Sequence, residues 1–268
     1  MGIREAWPIT MGMEGGHWES FAADASDPDV PRFFVTEDAE KGALQVSCRV
    51  ARCGATCCLS KRNLTCFRQR FTPFNITWDP PEDAWKMLHG PGKIEYLMLN
   101  PNSATGGTFS WTTNRDNARS NAKQFYPNSE GIDINDGRLY FVCKKIKVLF
   151  ELDLVTATYT SQSTTHGLFD GGPDQLQRIL VDGAEEFLFF TEEGGKDPGI
   201  HGRDATGMFF TLLESPVYND ETTGLAFSPD AIHLYVAYQK TGILFDVTRL
   251  DGLPFHAKSL NVKYHADL

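Results

Sequence analysis

Four carboxylates, Glu19, Glu130, Asp174 and Glu221, each stand at the head of a short strand-like segment, and the last three recur at steps of 44 and 47 residues. Behind each acid the pattern is the same. Glu130-Gly131-Ile132-Asp133-Ile134 leads to a dense apolar run, Gly137 to Val142, and then to the alternating run Val148 to Leu154. Asp174 leads in the same way to Phe187 to Glu192 and Met208 to Leu213, and Glu221 to His233 to Ala237 and Gly242 to Val247. Glu19, followed by Arg32 to Asp38, begins a further copy. The first strand of a propeller blade lines the central channel, so acids opening those strands converge on one small volume. Like charges brought that close repel unless a cation neutralises them or some hold protons. An all-oxygen set suits hard ions, calcium first and iron or manganese next. The alternative for each acid is a structural one, capping a turn or accepting backbone N–H groups from the neighbouring blade.

The elements that must position these acids are short strands in units of about 40 to 50 residues, the size of a propeller blade. The expected fold is therefore all-β, a β-propeller with about four recognisable blades in a single domain spanning 1–268. An open β-sandwich would show similar strands and turns but gives no reason for an acid at the same place in each unit. One helix is expected, from Asn114 to Phe125 with Asn114 as its cap.

A second tier of charge closes the second strands: Thr36-Glu37-Asp38 and Thr191-Glu192-Glu193, with Cys143-Lys144-Lys145 in the same place between them. The longest basic cluster, Lys144-Lys145-Ile146-Lys147, reads as a solvated turn between two strands. An anionic substrate has to be met by basic groups, and by place in the repeat Arg178, Arg203 and His201 are the candidates. No P-loop, nucleophile elbow or zincin motif occurs.

The balance of 35 acidic against 25 basic residues, net charge −10, argues against nucleic acid and anionic lipid as partners. No stretch approaches the roughly 20 apolar residues that span a bilayer, so membrane insertion is not expected, and a monomer is. The opening residues lack the apolar core of a leader and read as the middle of a longer chain. The sequons Asn63-Leu64-Thr65 and Asn75-Ile76-Thr77 point to an extracellular or secreted protein.

Five of the six cysteines (Cys48, Cys53, Cys57, Cys58 and Cys66) fall in the segment Val46 to Phe67. Their spacing lacks the paired CxxC halves of a zinc site and leaves a small disulfide knot open. Removing the segment would join Ala43-Leu44-Gln45 to Arg68-Gln69-Arg70 in one strand. It reads as an insertion, either a loop or a translated intron, that forms an excursion outside the blades.

Taken in order, several motifs resemble those of the PhoX-type alkaline phosphatase family. They are Glu130-Gly131 with Gly137-Arg138-Leu139-Tyr140-Phe141, Gly172-Pro173-Asp174-Gln175-Leu176, Thr191-Glu192-Glu193, and Glu221 ahead of Gly224-Leu225-Ala226-Phe227-Ser228-Pro229-Asp230. The match runs from Trp18 to Arg249 and is closer to the algal and bacterial relatives of that family than to the phosphatases proper. The resemblance implies a β-propeller with calcium and iron in its channel, cleavage of small phosphate monoesters, and a site outside the cytoplasm. It implies metal-binding roles for Glu130, Glu192 and Glu221, with Glu19 and Asp174 similar. The family's iron-bridging cysteine, in an Asn-Cys-Ala-Gly-Gly-like segment, has no counterpart here, and weak activity or none is expected. A calcium-binding propeller without catalysis, and a calcium-dependent lactonase or esterase, are the alternatives.

Overall fold

The computed structural model describes residues 17–24, 32–49, 92–179, 187–256, 260 and 262–265. They form antiparallel blades stacked around a common set of inner strands. The first blade is β1 (Trp18–Asp24), β2 (Arg32–Glu37), β3 (Gln45–Arg49) and β4 (Gly92–Ser103), paired in that order. A hairpin leads from β4 into β5 (Gly106–Thr112), followed by helix α1 (Arg115–Phe125). The second blade is β6 (Ser129–Asn135), β7 (Arg138–Cys143), β8 (Val148–Asp153) and β9 (Thr158–Ser163), and β5 pairs with β9 to fuse the first two blades into one nine-stranded sheet. The third is β10 (Gly172–Arg178), β11 (Leu188–Glu193), β12 (Gly199–Arg203) and β13 (Phe209–Glu214), and the fourth is β14 (Thr222–Phe227), β15 (His233–Tyr238) and β16 (Ile243–Thr248). The inner strands pack in series, β1 on β6, β6 on β10 and β10 on β14. This is the architecture of a β-propeller.

The apolar second strands are explained by burial on both faces of the blade. In β7, Leu139, Phe141 and Cys143 join the core shared with the first blade, whereas Tyr140 and Val142 face the third. In β11, Leu188 and Phe190 look back to the second blade, and Phe189 joins the core shared with the fourth blade through Phe210, Leu234 and Val236. Strands covered on both sides read as continuous apolar runs and not as an alternation. The last strand, β16, alternates half-buried and exposed residues because its outer side faces water.

Polar pins join neighbouring blades near the axis. The Thr36 hydroxyl donates to the carbonyl of Glu130. The Gln175 side chain donates to Thr223 Oγ1 at 2.9 Å and accepts from the Leu225 N–H at 3.1 Å. Between the second and third blades the backbones meet at Gly131, where a Cβ would lie 2.3 Å from the Leu176 nitrogen and 2.7 Å from the Asp174 carbonyl oxygen. Gly131→Ala is therefore expected to lower stability by about 1–3 kcal/mol, as overpacking against rigid backbone does. A thermal melt of the variant indistinguishable from wild type would contradict so close an approach.

Helix α1 forms where expected, with the Asn114 side chain accepting from the Asn117 N–H at 3.0 Å. Its buried Asn121 pairs with both backbone groups of Leu99, and Tyr126 beyond it donates to the Leu97 carbonyl, fixing the helix on β4. The cysteine-rich segment meets a different boundary from the expected one. Its first residues, 46–49, belong to β3, which lies between β2 and β4, and Val46 is buried. Its remainder, both sequons and four of its five cysteines lie outside the described residues. Among the described residues no helix is long and apolar enough to cross a membrane.

Candidate metal site

In each blade the pairing of the inner strand with its neighbour slips at the same place. The slips fall between Trp18 and Phe21, Ser129 and Ile132, Pro173 and Leu176, and Thr223 and Ala226. Such bulges bend a strand and re-aim the side chain at the extra residue. Glu19, Glu130 and Asp174 occupy this one structural position, and Gly224 holds it in the fourth blade. Glu221 comes earlier, just ahead of β14, so its match to the other acids is one of charge and not of register. Two bulges are held by a threonine of the second strand: Thr36 Oγ1 accepts from the Ser20 N–H at 3.0 Å and Thr191 Oγ1 from the Gln175 N–H at 2.8 Å.

The end of each second strand faces the bulge of its blade, and there the equivalent residues are Asp38, Lys144 and Glu193. The Lys144 ammonium gathers carboxylates from three blades, lying 2.7 Å from Glu130 Oε1, 2.9 Å from Glu193 Oε2 and 3.0 Å from Asp38 Oδ2. Asp38 is held on its other oxygen by Asn128, whose amide donates at 2.7 Å. One carboxylate oxygen each from Glu19, Asp38 and Glu130 lies within 4.8 Å of the other two. Oxygens bound to a common calcium at 2.3–2.6 Å are up to about 5 Å apart, so the spacing fits a cation of that size.

Glu130 is the deepest of the set. It is fully buried, and as a carboxylate its Oε2 finds no hydrogen-bond donor among the described residues. Burial pushes its carboxyl up to about 9, with the Lys144 ammonium acting against the rise and the Asp38 and Asp174 charges adding to it. Asp174 is pushed up to about 7 by burial and then by the charges of Glu221 and Glu19. Burial also raises Glu19 and Glu221, helped by Asp38 in the first case and Glu193 in the second. Asp38 moves the other way: burial opposes ionisation, but hydrogen bonds from Asn128 and Lys144 outweigh it and hold the group below its usual range. Lys144, despite its own burial, is held well above the ordinary lysine range by its three carboxylates. Glu19, Glu130, Asp174 and Glu221 thus act on one another electrostatically at one end of the inner strands, with more carboxylates than Lys144, and Lys240 beside Glu221, can offset.

With this geometry in view, solved structures supply the comparison. PhoX of Pseudomonas fluorescens, solved in complex with vanadate as a transition-state analogue, superposes with a TM-score of 0.60 at 12% sequence identity. The chain shares its fold with PhoX. The similarity covers 90% of this chain but 55% of PhoX, so the chain spans about half the length of that protein. No family model and no curated protein sequence matches the chain.

The residues singled out in the sequence do not all meet at this place. Glu192 is fully buried on the opposite side of β11 from Glu193's pairings. Its Oε1 accepts from the Gly171 N–H, and its Oε2 from the Gly199 N–H at 3.1 Å and from His201 Nε2 at 2.8 Å. His201 is likewise fully buried, stacked on Phe169 with ring centres 4.2 Å apart, and its Nδ1 meets Thr211 Oγ1 at 3.0 Å. Arg178 lies four residues beyond Asp174, about 13 Å along the strand, where it bonds the carbonyl of Ile134 at 2.7 Å and faces Asp133 at 3.5 Å. Arg203 bonds Gln162 at 2.8 Å. These basic side chains each serve a separate contact between or within blades. The basic group that meets the acids is Lys144, in the turn after Cys143 that sequence alone reads as solvated.

Proposed function

We propose that this chain is a PhoX-like metal-binding propeller whose cation, calcium, is held by Glu19, Asp38 and Glu130, and whose ligands are small phosphate monoesters outside the cytoplasm. The observation that carries this reading is that carboxylate oxygens of Glu19, Asp38 and the fully buried Glu130 lie within 4.8 Å of one another inside a ring of further acids. Burial makes the ionised form of Glu130 costly, and a divalent cation supplies the charge that lets it ionise, since Lys144 brings only one positive charge. Oxygen-only ligands at this spacing favour a hard ion. Asp38 contributes an ionised, pre-oriented carboxylate, Glu19 a solvent-facing one at the mouth, and Glu130 the deep one. A divalent cation there supplies positive charge that draws a phosphate oxygen and stabilises charge developing on it.

Iron has weaker support. Cys143 is wholly buried and its thiol is pushed up by burial and by Glu130, which opposes the thiolate a metal needs. Hydrolysis is therefore expected to be slow in this chain and to depend on calcium alone. The test is metal analysis of the purified protein, followed by p-nitrophenyl phosphate turnover with and without chelator. Bound calcium with slow, chelator-sensitive turnover is the expected result. A protein that carries no calcium and hydrolyses the ester equally well in chelator would overturn the reading.

A further inference from the structure

Beside the acids lies a cleft of about 570 Å³, lined by Asn128, Lys144, Lys145, Lys147, Glu193 and Gly194 among others. Its volume falls in the range of small-molecule sites, and three ammonium groups line it against one carboxylate, that of Glu193, which is paired with Lys144 at 2.9 Å. The turn between β7 and β8 delivers three ammonium groups within four residues, made possible by the left-handed backbone of Lys147 at φ 53°. Their counter-charges are uneven. Lys147 donates to the backbone carbonyl of Asp170 and has no carboxylate in ion-pair range among the described residues. Lys145 reaches Glu40 at 3.6 Å, with both side chains about half exposed, and Glu40 is shared with Lys123 at 3.8 Å. An exposed pair of that kind contributes little. Only Lys144 is firmly held, and the carboxylates that hold it include two of those placed to bind a cation.

A divalent cation on Asp38 and Glu130 and the Lys144 ammonium cannot share those oxygens without strong repulsion. The lysine has one place to go that it already lines, the cleft. We propose that this cleft is a binding subsite for a phosphate-like oxyanion, formed by Lys145 and Lys147 and completed by Lys144 when a divalent cation takes over its carboxylates. The second half rests on the function proposed above, whereas the lysine cleft does not. By linkage, cation and oxyanion then strengthen each other's binding reciprocally.

The test is calorimetric titration of the chain with inorganic phosphate and, in a parallel arm, with phenylphosphonate, each in chelator and in excess calcium. Wild type is expected to bind phosphate roughly tenfold more tightly with calcium, within the usual range of such coupling. Lys145→Gln/Lys147→Gln should weaken phosphate binding roughly tenfold or more in both conditions while leaving calcium affinity unchanged, as expected for loss of charge-assisted contacts. Lys144→Met should bind calcium more tightly and lose the dependence of phosphate affinity on calcium. Equal binding of phenylphosphonate identifies the oxyanion itself as the ligand, and preference for it places the organic group in the cleft as well. Unchanged phosphate affinity in the double variant, or no phosphate binding in either condition, would overturn the subsite. If the chain binds no calcium, the proposed function and the Lys144 step fail together, and loss of phosphate binding in the double variant still supports the cleft.

Discussion

Replacing Glu192 by alanine is expected to destabilise the chain by several kcal/mol, since each enclosed donor left without its acceptor costs about 1–3 kcal/mol. The carboxylate is enclosed and accepts from His201 and from two backbone N–H groups, those of Gly171 and Gly199. Removing it leaves three enclosed donors without their acceptor. The loss should spread along the line that follows, since His201 meets Thr211, and Thr211 Oγ1 meets His265 Nε2 at 2.8 Å. Glu192→Ala should nevertheless bind calcium as wild type does under conditions where it stays folded, because none of its contacts is to the Glu19, Asp38 and Glu130 set. Chemical denaturation measures the first half. A variant as stable as wild type would contradict the enclosed pairing, and lost calcium binding in a folded variant would restore Glu192 as a ligand.

Glu130→Gln should act in the opposite direction on the metal-free chain. The ordinary carboxyl value of Glu130 is 4.5 and burial raises it to about 9 in the folded chain. Between those values the folded chain holds a proton that the unfolded chain has released, so stability is full below the lower value and falls as pH rises towards the upper one. Up to pH 7 alone the loss is about 3 kcal/mol at 1.36 kcal/mol per unit. Asp174 adds a smaller loss of the same sign between 3.8 and about 7. In chelator, the melting temperature of wild type should therefore drop from about pH 5 to about pH 9, following these shifts, and Glu130→Gln should flatten most of that slope. Flat, superimposable profiles for the two proteins would show that Glu130 is not the strained group.

Much of this organisation is legible in the residues, for a physical reason that also marks where legibility ends. A propeller repeats local structure, so the spacing of Glu130 and Asp174 and the doubly buried runs through Phe141 and Phe189 can be read along the chain. Register is harder. The acids at 19, 130 and 174 share a bulge, but Glu221, which the repeat spacing places with them, stands just ahead of β14, and the bulge of the fourth blade falls at Gly224. Nothing in an alternation pattern marks a bulge, because the slip is defined only against the partner strand. The second-tier acids show the same limit. Thr191-Glu192-Glu193 looks like two equivalent carboxylates, but successive strand residues point to opposite faces, which sends Glu192 to His201 and Glu193 to Lys144. Lys144 itself stands out in the sequence as the odd residue between Asp38 and Glu193. Its contact with three blades depends on their packing, which no single segment encodes.

Calcium titration of chelator-treated wild type beside Glu130→Gln tests the central claim most directly. Wild type should take up calcium with heat and gain melting temperature with the logarithm of excess calcium, since a ligand that binds only the folded chain stabilises it by mass action. Glu130→Gln, stable without metal, should show neither the heat nor the gain. No calcium binding by wild type, or binding of the same affinity by the glutamine variant, would contradict a metal site built on Glu130.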